Sequence, residues 1–220
     1  TMSSCLGSVM MPRASHLIAE NKEVEFNRLI QKSYDFTLAI ALPMTIGLIF
    51  CAPSLITALC GVKFEHSILP SQIIAPIILM VAISNVFGIQ VLFPKGKINI
   101  VTLCCGIGAL ADLILNLCLI PFFSYIGTSI AYLGAEVATT VSMYLIGRKY
   151  IPIIYFKKSH LTYALGCVVM ALALYGISLL LLPTLTTLLV QGFCGVLTYF
   201  IILCICKDEM LVQLLSKFKR

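Results

Sequence analysis

Charge is almost absent from six long stretches of this sequence, and that absence decides what the chain can fold into. The stretches are residues 36–59, 68–93, 98–120, 126–146, 161–182 and 185–206, and only Asp112 and Glu136 carry charge inside them. About 20 apolar residues in a helix cross the roughly 30 Å hydrocarbon core of a bilayer, so each stretch is long enough to span. The rest of the chain cannot offset them. Of the 220 residues 60% are hydrophobic and 11% charged, too few charges to coat a soluble globule. The expected fold is an all-α polytopic membrane helix bundle of six complete transmembrane helices, with residues 1–12 read as the end of a truncated seventh.

The basic residues sort to one face. Arg13, Lys22, Arg28 and Lys32 precede the first span, Lys95, Lys97, Arg148, Lys149, Lys157 and Lys158 lie in alternate loops, and Lys207, Lys217, Lys219 and Arg220 form the tail; only Lys63 falls on the other side. Cytoplasmic loops of multi-spanning proteins collect Lys and Arg, so this 14-to-1 split predicts that both ends of the chain are cytoplasmic, in the cell (inner) membrane. The net charge of +6 then reflects topology and contact with phosphate headgroups, for which Arg13, Lys95, Lys97, Arg148 and Lys149 are the candidates, rather than nucleic-acid binding. The first residues lack the charged region and small-residue cleavage site of a signal peptide.

Between the spans the sequence predicts a cytoplasmic amphipathic linker over 13–35, a basic loop over 147–160 and a basic tail over 207–220. In the linker Phe26, Leu29 and Ile30 repeat at helical spacing among polar residues, the pattern of a helix lying along the membrane surface; a solvated linker is the alternative. Tyr150, Tyr155 and Phe156, with Tyr34, Tyr125 and Tyr163, suit the headgroup layer. The ten cysteines lie in or at the ends of apolar stretches, where Cys behaves as a small hydrophobe, so neither a disulfide framework nor a metal site is expected. Pro43, Pro53, Pro70 and Pro76 interrupt the first two spans, and such breaks are tolerated where neighbouring groups satisfy the freed backbone.

The third and fourth spans carry the chemistry. Gly127, Ala131, Ala135 and Thr139 recur every fourth residue as a small-residue packing stripe, and about 100° around the same helix Tyr132, Glu136 and Thr140 form a polar one. On the third span Gly108, Asp112 and Asn116 share a face. At 1.5 Å per residue, Asp112 lies ~12 Å and Glu136 ~15 Å from the outer ends of their helices. Two acids at matching depth on a helical hairpin are costly to insert, about 2.5–3.5 kcal/mol each when charged. They read either as a protonatable pair facing a water-filled cavity, with Asn116, Tyr132 and Thr140 beside them, or as protonated groups tying the bundle together. None of the six spans contains Lys or Arg, so an anionic headgroup would find its fixed positive charge elsewhere. The histidines are isolated loop residues, and no catalytic or metal-ligating motif is present.

The runs Gln90-Val-Leu-Phe-Pro94-Lys-Gly-Lys97, Leu115-Asn116-Leu-Cys-Leu-Ile120-Pro121 and Tyr125-Ile-Gly127-Thr-Ser-Ile-Ala131 leading to Glu136, with Met11-Pro12-Arg13-Ala14-Ser15 and Ala41-Leu42-Pro43 before them, resemble the C-terminal half of a Wzx-type polysaccharide-repeat-unit flippase. That family belongs to the MOP superfamily, which also holds the MATE exporters and the lipid II flippases. The resemblance implies two pseudo-symmetric lobes around a central cavity, a missing N-terminal half, and a four-helix second lobe over 36–146 followed by two peripheral helices over 161–206. It implies movement of undecaprenyl-pyrophosphate-linked oligosaccharide from the cytoplasmic to the outer leaflet without hydrolysis, by alternating access coupled to protons or sodium, with no cofactor. Membrane lipids and polysaccharide assembly proteins would be the partners. The alternatives are a MATE-type antiporter of organic cations, a non-transporting membrane scaffold, and a membrane enzyme, for which the acids needed to hold a metal are lacking.

Overall fold

The computed structural model describes residues 2–154 and 157–206, the side chains of residues 2–9 and of Lys158 aside. All regular structure among the described residues is helical: α1 (Met2–Ala19), α2 (Glu23–Cys60), a 3₁₀ turn (Val62–Ser67), α3 (Ile68–Ile74), α4 (Ile77–Asn85), a π-helical segment (Val86–Leu92), α5 (Ile98–Gly147), α6 (Lys158–Leu180) and α7 (Leu185–Ile205). Five of these runs are long and apolar enough to cross a membrane, the segment 62–92 counting as one. The 50-residue α5 is two helices: Ser124 sits at φ 47°, ψ −124°, three residues after Pro121. Counted so, the described residues hold six spans.

The polar stretch predicted as a linker is resolved into two helix ends. α1 continues to Ala19 and stops because Asn21 takes the left-handed conformation (φ 55°), so that Lys22 N–H reaches the Leu17 carbonyl and Asn21 N–H the Ile18 carbonyl. α2 restarts with Glu23 and Glu25 in its first turn, where acids complement the helix dipole. Phe26 and Ile30 are buried, so the apolar stripe read as a membrane-surface face is packed inside the protein. Gly96 (φ 68°) closes the segment after the π-helix in the same way, with Lys97 N–H on the Leu92 carbonyl.

The chain forms two compact units. In the first, Thr1–Leu38 with Ile77–Tyr155, the two limbs of α5 fold back on each other as an antiparallel hairpin: Gly108 lies against Thr139 and Ala135, Gly134 against Leu115, and Gly127 against the Leu119 backbone. Small residues at these positions let the helix backbones approach. Thr140 Oγ1 donates to the Met80 carbonyl (3.2 Å), tying the second limb to α4.

In the second unit, Ala39–Pro76 with Phe156–Arg220, α6 and α7 pair with the later part of α2. Gly195 faces Leu174 and Met170, Gly166 lies against the Tyr199 ring, and Phe50 meets Tyr175 edge-on at 6.5 Å. The two prolines inside α2 each remove a backbone donor, which frees the carbonyl four residues earlier. Both freed carbonyls are satisfied from another helix. Tyr199 of α7 donates its hydroxyl to Ala39 O (2.8 Å), four residues before Pro43, and Gln72 of α3 donates its amide to Ile49 O (2.9 Å), four residues before Pro53. Tyr199→Phe is therefore expected to lower stability by about 1–3 kcal/mol, the cost of an orphaned acceptor away from water. In a Pro43→Ala background the backbone N–H returns and the same substitution should be close to neutral. Thermal melts of the four proteins of this cycle measure the coupling, and equal losses in both backgrounds would contradict it.

Candidate functional site

The acids predicted to carry chemistry lie on the two limbs of the α5 hairpin, and their surroundings differ. Asp112 is half-buried and paired within its own helix: Asn116 Nδ2 donates to the Asp112 carboxylate (3.0 Å) and to the Asp112 carbonyl (2.9 Å). Asn116 Oδ1 is buried without a partner among the described residues. Glu136 is half-buried and has no hydrogen-bond or ion-pair partner among the described residues. No hydrogen bond joins Asp112 to Glu136. Of the polar stripe, Tyr132 is exposed and Glu136 half-buried, whereas Thr140 is buried and spent on Met80. Thr140, a candidate for the cavity lining, donates its hydroxyl to the Met80 carbonyl, so one turn beyond Glu136 the stripe meets α4.

The packing stripe lies about 100° around the same helix. Gly127, Ala131 and Ala135 are buried, and Thr139 bonds its hydroxyl to the Ala135 carbonyl (2.9 Å), one turn back. A Cβ on Gly108 would collide with the Thr139 hydroxyl, which is why the third span needs glycine there.

The basic residues separate into two kinds. Arg13, Arg148 and Lys149 are exposed. Lys95 is committed to the protein: its Nζ donates to the Tyr150 carbonyl (3.0 Å) and lies 5.0 Å from the centre of the Phe26 ring. Burial pulls its pKa below the usual lysine value, partly opposed by the charge of Glu23. Lys97 lies 5.2 Å from the centre of the Tyr150 ring. The two loop lysines thus hold the segment after α5 to the turn before it.

Two tyrosines assigned to the headgroup layer sit elsewhere. Tyr34 is buried and stacked on Phe87 (6.3 Å, 13°), and Tyr163 is 1% exposed near His160. Both have their rings inside the fold because the helices carrying them pack against protein on that side. Tyr125 is exposed at the hairpin tip; Tyr155, Phe156 and the tail over 207–220 lie outside the described residues.

A cluster that the sequence reading passed over lies in the first turns of α2. Gln31, Ser33 and Asp35 are all buried. Gln31 Nε2 donates to the Asp35 carboxylate (2.7 Å), and Gln31 Oε1 accepts from the Ile154 N–H (2.8 Å), so one amide clasps the extended strap that follows α5. Ser33 donates to Gln90 of the π-helical segment (2.5 Å). The signal in the sequence was Asp35 itself, an acid one residue outside the first charge-free stretch.

The family model of the lipid II flippase MurJ matches residues 2–200, nine-tenths of the sequence. The chain belongs to the lipid II flippase MurJ family. The MurJ match moves the assignment from the polysaccharide-repeat-unit branch, suggested by the runs around Gln90, Asn116 and Gly127, to the lipid II branch of flippases. The family is one of transporters rather than enzymes, and the chain is a multi-pass membrane protein. Among solved structures, a lipid II flippase MurJ in an inward closed conformation superposes with a TM-score of 0.76 at 15% identity, over 95% of this chain and 45% of that one. The shared fold is thus a MurJ-like helical one, and the chain spans about half the length of that relative. No match is found among curated proteins.

Proposed function

We propose that this chain forms the second lobe of a flippase that carries a lipid-linked saccharide precursor from the cytoplasmic to the outer leaflet by alternating access, with lipid II as the cargo. The family match across residues 2–200 carries this reading. The 14-to-1 split of basic residues supports cytoplasmic ends and an outer hairpin tip at Ser124. Exposed Arg13, Arg148 and Lys149 are suited to attract the anionic headgroup at the cytoplasmic mouth, while Lys95 and Lys97 brace the loop behind them.

Coupling to a proton or sodium falls to Glu136. A half-buried carboxylate with no partner among the described residues can gain and lose a cation without breaking the fold, whereas Asp112 already holds Asn116. The two prolines inside α2 and the broken segment 62–92 supply helices able to flex. The sequence runs that resemble those of the repeat-unit flippases support a second cargo, undecaprenyl-pyrophosphate-linked oligosaccharide. Translocation of labelled lipid II by the full-length protein in vesicles tests the reading, with the oligosaccharide-linked lipid as the competing substrate.

A further inference from the structure

The second span does not end as an α-helix. From Val86 to Leu92 it widens into a π-helical segment, closed at its end by Phe93 N–H on the Gly88 carbonyl five residues back (2.9 Å). Six of the seven residues are buried, so the widening lies within packed protein, where no solvent compensates an irregular backbone. Such segments are uncommon and concentrate at functional positions. Contacts of three residues fix this one in place. Phe87 lies between Tyr34 (6.3 Å, stacked) and Tyr144 (6.3 Å, tilted), Gly88 faces the Met143 sulfur, and Gln90 Oε1 accepts the Ser33 hydroxyl at 2.5 Å.

Gln90 is nevertheless only half satisfied. It is 1% exposed, and its Nε2 donor has no partner among the described residues. A buried donor left open disfavours the arrangement that holds it, while the short Ser33 bond favours that arrangement. Sliding the segment from the π to the α pattern would turn its later residues by about 100°. That turn takes Gln90 off Ser33 and frees the donor for another acceptor. Packed cores respond to such slides in discrete steps.

We propose that the Val86–Leu92 segment is a two-register element of the transport cycle, held in the π register by the Ser33–Gln90 bond and released when that bond breaks. The link to transport rests on the flippase reading; the two-register behaviour does not. The experiment is hydrogen–deuterium exchange on the full-length protein in nanodiscs, joined to lipid II translocation. Amides 88–93 should exchange faster than those of α4 although the π-helical segment is the more deeply buried of the two, and Ser33→Ala should raise the 88–93 rate by about three- to tenfold while amides of α5 stay unchanged. Deleting Ile89 removes the extra residue and should lock the α register, leaving a protein that melts as the parent does and no longer translocates. Exchange at 88–93 as slow as in α4 in both parent and Ser33→Ala, or an increase spread equally over all helices, would overturn the proposal. So would an Ile89 deletion that folds and transports at the parental rate. If the deletion fails to fold, or the parent does not translocate lipid II, the exchange comparison still decides the two-register behaviour.

Discussion

Gly127→Val is expected to abolish the folded protein. A Cβ at this position would lie 2.6 Å from the Leu119 carbonyl oxygen, 2.7 Å from the Leu119 carbonyl carbon and 3.1 Å from the Ile120 nitrogen, all backbone atoms of the opposing limb. A flexible side chain could move aside; a helix backbone one turn from a tight hairpin cannot. Overpacking in cores typically costs about 1–3 kcal/mol, and against rigid backbone the cost should exceed the upper figure. Gly106, on the opposing limb, makes the control. Nothing lies within 4 Å of a Cβ there, so Gly106→Ala should be neutral or stabilising by up to about 1 kcal/mol through helix propensity. Melting curves of the full-length protein in detergent check both signs. A Gly127→Val protein that melts with the parent would show that the limbs are not paired as described.

Glu136→Gln carries the second large effect, on activity rather than stability. The side chain has no partner among the described residues to lose, so its melting temperature should stay within a few degrees of the parent. If Glu136 takes up the coupling ion, the neutral amide should reduce lipid II translocation by about tenfold or more and flatten its dependence on the proton or sodium gradient. Asp112→Asn should do less, because Asn116 keeps a hydrogen-bonding neighbour in either case. Full activity of Glu136→Gln at every pH and sodium concentration would remove it from the coupling step.

The class of fold, an all-helical membrane bundle, was legible because hydrophobic length and charge exclusion are local properties that one chain displays by itself. So was the hairpin: Gly108 and the stripe at Gly127, Ala135 and Thr139 mark where backbones touch, whatever else surrounds them. What single-residue patterns could not show is which distant group answers a local defect. Pro43 and Pro53 announced two freed carbonyls, but nothing at those positions named Tyr199 or Gln72 as the donors. Thr140 read as one more member of a polar stripe because periodicity carries no information on α4, whose Met80 carbonyl claims it. The buried set Gln31, Ser33, Asp35 and Gln90 escaped for a related reason. Its members are scattered across three elements, and each looks ordinary alone. The π-helical segment has no sequence period of its own, and the flippase branch differs by details that motif runs of a few residues do not resolve.

The proposed role in moving a lipid-linked precursor is tested most directly by transport itself. The full-length protein is reconstituted in vesicles with fluorescent lipid II in the inner leaflet, and a membrane-impermeant quencher reports the fraction that reaches the outer one. The expected result is translocation that requires the protein, faster for lipid II than for an undecaprenyl-pyrophosphate-linked repeat unit, and strongly reduced by Glu136→Gln. Well-folded protein that leaves lipid II at the rate of empty vesicles would contradict it.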